Sequence, residues 1–223
     1  MSAPTPSAEL RARVLAAARA QPARTRPAGA RRDALVVALG FAIPVAVSVA
    51  IGGPGTRLPL AYTAALGVAW LLVSFVATWE GVGRGRSMLG RPNVVRALVV
   101  GLTPVALLVT ASLAALVWPE TLAVPAGLPE HVVCVAFTLV FALGPLVAFA
   151  IVRRHSDPVA PRLTGAALGA ASGAWGALGI ELHCGHASAF HVVVGHVLPV
   201  LALAAVGAVL GERVLGVRAP SPS

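Results

Sequence analysis

Residues 131–152 read HVVCVAFTLVFALGPLVAFAIV, a run of twenty-two residues without Asp, Glu, Lys or Arg. An α-helix rises about 1.5 Å per residue, so such a run crosses a hydrocarbon core of about 30 Å. A buried strand would be much shorter, and a barrel strand would alternate in polarity. The stretch reads as a transmembrane helix. Five similar stretches surround it, at 34–53, 58–79, 94–118, 163–182 and 190–210, each nearly free of charge. The expected fold class is all-α: a polytopic membrane protein whose six transmembrane helices occupy residues 34–211. A cytoplasmic N-terminal tail (1–33) with a short helix precedes them, and a cytoplasmic C-terminal tail (212–223) follows.

Composition agrees with this reading. Of 223 residues, 57% are hydrophobic and 11% charged, against about 25% charged in an ordinary soluble domain. A water-soluble fold could not hide that much apolar surface beneath a polar exterior. The first stretch begins 33 residues in and is 20 residues long, too late and too long for the apolar core of a cleaved signal peptide.

The net charge of +9 comes with seventeen basic residues, all Arg. Sixteen fall in the N-terminal tail, in the second and fourth connections with the helix ends beside them, and in the C-terminal tail. Arg57 alone falls on the other side. The positive-inside rule then places both termini in the cytoplasm, and the first, third and fifth connections outside. Because the Arg residues punctuate apolar segments, they read as topology signals, and no direct nucleic-acid partner is expected.

Pro44, Pro104, Pro145 and Pro199 lie inside the apolar stretches, where each removes a backbone hydrogen bond and kinks the helix. The fifth stretch places Gly165, Gly169 and Gly173 at four-residue spacing. Such a face lets another helix backbone approach closely, and the fourth helix is the expected neighbour.

Chemistry-bearing residues are few. No phosphate loop, nucleophile elbow or HExxH motif is present, so no enzyme is expected. No helix centre carries a charge, which argues against an ion-coupled carrier. His196 is the main candidate for a buried ionisable group. The fifth connection reads Glu181-Leu-His183-Cys184-Gly-His186, followed by His191. Topology alone puts Cys184 at the outer surface and Cys134 one turn below it. Three readings stay open for these cysteines. They are small packers at helix ends, a pair that is oxidised to a disulfide or attacked by an oxidant or soft metal, or part of a metal site of His183, Cys184 and His186. No resident cofactor is expected, although the third reading admits a transient metal.

The tail carries AELRARVLAAARA at 8–20, a strong helix former bounded by Pro22. Leu10, Arg11, Val14, Leu15 and Ala18 are its expected partner-binding positions. Two uses compete: lying on anionic lipid, or docking into a groove on a cytosolic partner.

The stretch Arg162-Leu-Thr-Gly165-Ala-Ala-Leu-Gly169-Ala-Ala-Ser-Gly173, then Leu182-His183-Cys184, His191 and a last helix ending Gly207-Ala-Val-Leu-Gly211, resembles the C-terminal half of the NrsF-type family of bacterial membrane proteins. Ala61-Tyr62-Thr63, shortly after Gly55-Thr-Arg57, is similar as well. The resemblance implies six helices and an anti-sigma factor that holds an extracytoplasmic-function sigma factor at the inner membrane until a signal releases it. It also implies that Cys134 and Cys184 take part in the signal response. The alternative from a different class is a small-molecule or ion transporter or channel.

Overall fold

A computed structural model describes residues 26–52, 58–83, 92–123, 126–154 and 159–215, together with 7–9, 12, 13 and 16 of the tail. Of the tail, Ala8, Glu9, Ala12, Arg13 and Ala16 are helical and exposed, and Arg13 pairs with Glu9 at 2.6 Å. The expected partner-binding positions Leu10, Arg11, Val14, Leu15 and Ala18 lie outside the described residues.

The helices are α1 (Arg26–Ala50), α2 (Leu60–Val82), α3 (Asn93–Val117), α4 (Leu128–Arg153), α5 (Pro161–Glu181) and α6 (Ala189–Leu215). All six are long and apolar enough to cross a membrane. Among the described residues there is no strand. Proline sets several starts. Pro59 and Pro92 immediately precede α2 and α3, while α4 and α5 carry proline in the first turn, where its missing N–H costs nothing.

The helix α5 is the centre of the bundle. It packs against α2, α3, α4 and α6 and is buried along most of its length, although it is the least apolar of the six. The sequence explains this inversion. A helix that never meets lipid needs small size more than hydropathy, and GAALGAASGAWGALG supplies it. At the other extreme, α1 has no fully buried residue among those described. Its Phe41 ring meets Trp175 of α5 edge-on at 4.6 Å.

The glycine face of α5 corrects one expectation. Gly165, Gly169 and Gly173 do not face α4; they admit α6. A Cβ on Gly165 would fall on the Gly207 carbonyl, and one on Gly173 would stand 2.8 Å from the Cα of Val200. The helices meet backbone to backbone. The approach to α4 uses the next glycines, Gly176 against Thr138 and Gly179 against Phe141. At 100° per residue the five glycines fall within about 120° of one another, so the two neighbours divide one small-residue face by height: α6 along Gly165, Gly169 and Gly173, and α4 at Gly176 and Gly179. The glycine pairings show α6 running antiparallel to α5, and α4 does so too, with Cys134 near its start meeting Cys184 and Leu146 and Ala150 farther along lining a pocket with Gly165. The end of α5 and the starts of α4 and α6 therefore meet at one end of the bundle.

Candidate functional site

That shared end holds a buried polar cluster. Cys134 comes from the second turn of α4, Cys184 from the link after α5, and His191 and His196 from α6. All four are buried, and their ligand-capable atoms lie within 4.8 Å of one another. The two sulfurs are 3.7 Å apart, with both cysteines free. The Nε2 of His191 lies 3.2 Å from the Cys184 sulfur, and the backbone N–H of His186 donates to that sulfur at 3.4 Å. The Cys184 thiol, outside the spans, is pushed up to about 11, first by its contact with Cys134 and then by burial. It is protonated at neutral pH.

The two imidazoles meet because of a defect in α6. Val193–Val197 form a single π turn. At 100° per residue, positions five apart in an α-helix point about 140° away from each other. One extra residue per turn removes most of that divergence, and the His191 and His196 rings sit with centroids 5.3 Å apart. The cause lies just downstream. Pro199 has no N–H to give the carbonyl of Gly195 four residues earlier. Thr138 of α4 supplies the missing donor, its hydroxyl bonding Gly195 O at 3.0 Å. In the apolar core an orphaned carbonyl costs about 1–3 kcal/mol. Gly195 also makes room for the cysteine: a Cβ there would lie 3.0 Å from the Cβ of Cys134.

The second shell is also buried. Glu181, at the end of α5, is only 4% exposed, and its Oε2 lies 3.1 Å from Nδ1 of His196. The two atoms are close but not aligned for a hydrogen bond, so proximity, not a directed bond, defines the pair. Sequence reasoning treated Glu181 as an ordinary helix-end residue; the structure buries it. Trp70 of α2 packs edge-on to His196 at 5.6 Å, and His131 of α4 lies 4.8 Å from the His191 ring. Among the described residues, Tyr62 Oη, Trp70 Nε1, His191 Nδ1 and His196 Nε2 are buried without a protein hydrogen-bond partner.

The structure therefore brings Cys134 and Cys184 together and adds His191 and His196. The other two members of the metal reading stand apart from the four. His183 is turned toward α1: its Nδ1 donates to Gly179 O at 2.8 Å. Because a carbonyl only accepts, Nε2 is the acceptor from the Ser48 hydroxyl at 3.2 Å. His186 faces His191 with ring centroids 5.3 Å apart. Both line a cavity of about 480 Å³ that reaches the two cysteines and has Glu130 in its wall. The four-residue cluster could bind a metal.

No curated protein and no solved structure shows significant similarity to the chain. A family model does. The NrsF model, described as negative regulator of sigma F, matches residues 16–216 and so runs from the tail through all six helices. The resemblance read in the C-terminal half thus extends over nearly the whole sequence, and the chain belongs to the NrsF family of negative regulators of a sigma factor.

Proposed function

We propose that this protein is a membrane-bound anti-sigma factor. It holds an extracytoplasmic-function sigma factor at the bacterial inner membrane and releases it on an envelope, oxidant or metal signal. The family match over 16–216 carries the reading, and a regulator family points to binding rather than catalysis. Six apolar helices and the bias of sixteen Arg against one support a multi-pass protein with both termini inside. The tail around 8–20 is the proposed docking helix, with Leu10, Arg11, Val14, Leu15 and Ala18 as its contact positions. Cys134 and Cys184 are the proposed signal input.

One observation favours the transporter alternative: a buried Glu181 beside a buried His196 is the kind of pair that proton-coupled carriers use. The pair sits at one end of the bundle, however. The other buried charged side chains among those described, Arg96 and Arg153, lie at the opposite end. Among the described residues no buried charged side chain lies between the two ends, which favours the regulatory reading.

The test is co-purification of the sigma factor with the full-length protein and with a form lacking residues 1–32, beside a sigma-dependent reporter. The expected result is binding and repression by the full chain, both lost on truncation. Full binding and repression by the truncated form would remove the tail from the mechanism. Failure of the intact protein on both counts in its own host would refute the anti-sigma reading.

A further inference from the structure

We propose that Cys134, Cys184, His191 and His196 form a tetrahedral S₂N₂ site for a zinc-type divalent cation, with Glu181 as the outer carboxylate that orients His196. The site stands on its own geometry; only its use as the signal input rests on the regulatory reading above.

The spacing carries the proposal. With Zn–S near 2.3 Å and Zn–N near 2.0–2.1 Å, tetrahedral geometry requires sulfurs about 3.7–3.8 Å apart and S···N edges about 3.5–3.6 Å. The sulfurs stand 3.7 Å apart, and the measured S···N edge is 3.2 Å. Even the widest separation in the set, within 4.8 Å, closes with side-chain movements on the order of 1 Å. A disulfide would engage the two cysteines alone and would leave two imidazoles with no role.

Polarity and charge agree. Four buried groups from three chain segments converge where lipid-depth packing ordinarily admits none without a partner. His196 turns Nδ1 toward the Glu181 carboxyl, which leaves Nε2, buried and without a protein partner, as its ligand atom. A ligating His whose other nitrogen faces a carboxylate is the usual outer-shell arrangement in metal sites. The reaction balances simply: one divalent cation displaces the two thiol protons, and the complex of two thiolates and two neutral imidazoles has no net charge. A neutral complex suits a low-dielectric surrounding. The cavity lined by Glu130, His183 and His186 opens on both cysteines and gives the cation its way in. It also separates the residues that admit the metal from those that hold it.

The experiment uses the full-length protein, reduced and in detergent micelles, titrated with Co²⁺ and then competed with Zn²⁺. One equivalent of Co²⁺ should give tetrahedral d–d bands and a thiolate charge-transfer band, all bleached by Zn²⁺. Cys134→Ser and His196→Gln should abolish the signature. Glu181→Gln should weaken Zn²⁺ binding about 10–100-fold, while His183→Gln/His186→Gln should keep the spectrum and stoichiometry. Circular dichroism and gel filtration check each variant. Where Cys134→Ser fails to fold, the wild-type stoichiometry and Glu181→Gln decide. Reduced wild-type protein that takes up no metal, a signature that survives His196→Gln, or one that depends on His183 and His186 instead would overturn the proposal. Sigma-factor retention is measured in the same preparations. Retention without metal binding refutes the site alone, and metal binding without retention refutes the regulatory reading alone.

Discussion

The link between Thr138 and Gly195 can be tested by a double-mutant cycle. Thr138→Val keeps the shape of the side chain but deletes the hydroxyl that bonds Gly195 O at 3.0 Å. Thr138 is fully buried, and Pro199 leaves that carbonyl without its α-helical donor. Hydrogen bonds between membrane helices average about 0.6 kcal/mol and reach about 1.7. An orphaned buried carbonyl costs about 1–3 kcal/mol. The expected loss is therefore about 1–2 kcal/mol, near the upper end of the membrane range. Pro199→Ala returns an N–H to position 199, which can bond Gly195 in α-helical fashion. In that background Thr138→Val should cost little, giving a coupling of about 1 kcal/mol, well above the additivity error of about 0.3–0.5 kcal/mol. Unfolding in mixed micelles, followed by tryptophan fluorescence, measures all four corners. Equal costs in the two backgrounds would refute the claim that Thr138 answers for the proline.

Two further outcomes follow from the packing and the charge distribution. Gly165→Val sets a branched Cβ against the Gly207 carbonyl and the Cα of Gly211; with no flexible side chain to give way, the cost should reach about 3 kcal/mol, the top of the overpacking range, measured by the same unfolding assay, and a neutral result would contradict the backbone contact. Reporters active only in the periplasm should signal from fusions at 125 and 187, and reporters active only in the cytoplasm from 88 and 157, whereas a cytoplasmic signal from 187 would overturn the assigned orientation.

The six helices were legible because a lipid-facing run of some twenty residues has almost no other physical solution. The expected stretch 131–152 became Leu128–Arg153, and 163–182 became Pro161–Glu181. The common depth of Cys134 and Cys184 followed from topology, since a connection and the start of a helix on the same side must share a surface. The imidazole half of the cluster was not legible in the same way. His191 and His196 are five apart, a spacing that α-helical periodicity sends to different faces. The available signal was the pair Gly195 and Pro199, a small residue four positions before a proline, which marks where a helix can open into a π turn. Glu181 misled for another reason. Position at a helix end implies solvent only where nothing covers the end, and here α2 and α6 do. The glycine face was expected to admit α4, and it meets α6. Its partner was not legible, because spacing along one helix says nothing about which neighbour fills the groove.

The same packing decides what the cluster can move. His196 and Gly195 lie in the π turn of α6, while Gly173, Gly169 and Gly165 of α5 meet α6 progressively farther along, at Val200, at Leu203 and Ala204, and at Gly207 and Gly211. Between these two helices there is no layer of long side chains to absorb a shift. Closely packed interiors transmit displacement and do not deform smoothly. A ligand that draws His196 toward the cysteines acts on a helix keyed by backbone contacts along its length, so the adjustment must either be taken up within the π turn or passed to the far end of α6. The π turn is the soft element, since removing its extra residue per turn re-registers the helix by one position. The far end carries Glu212, whose carboxylate stands 3.4 Å from Arg162 at the start of α5. That pair is exposed, so it contributes little stability and offers little resistance. The geometry thus joins a buried, ligand-capable end to a weakly fastened one through a helix with a single adjustable turn, which is the arrangement a sensor needs if its output is made at the opposite face.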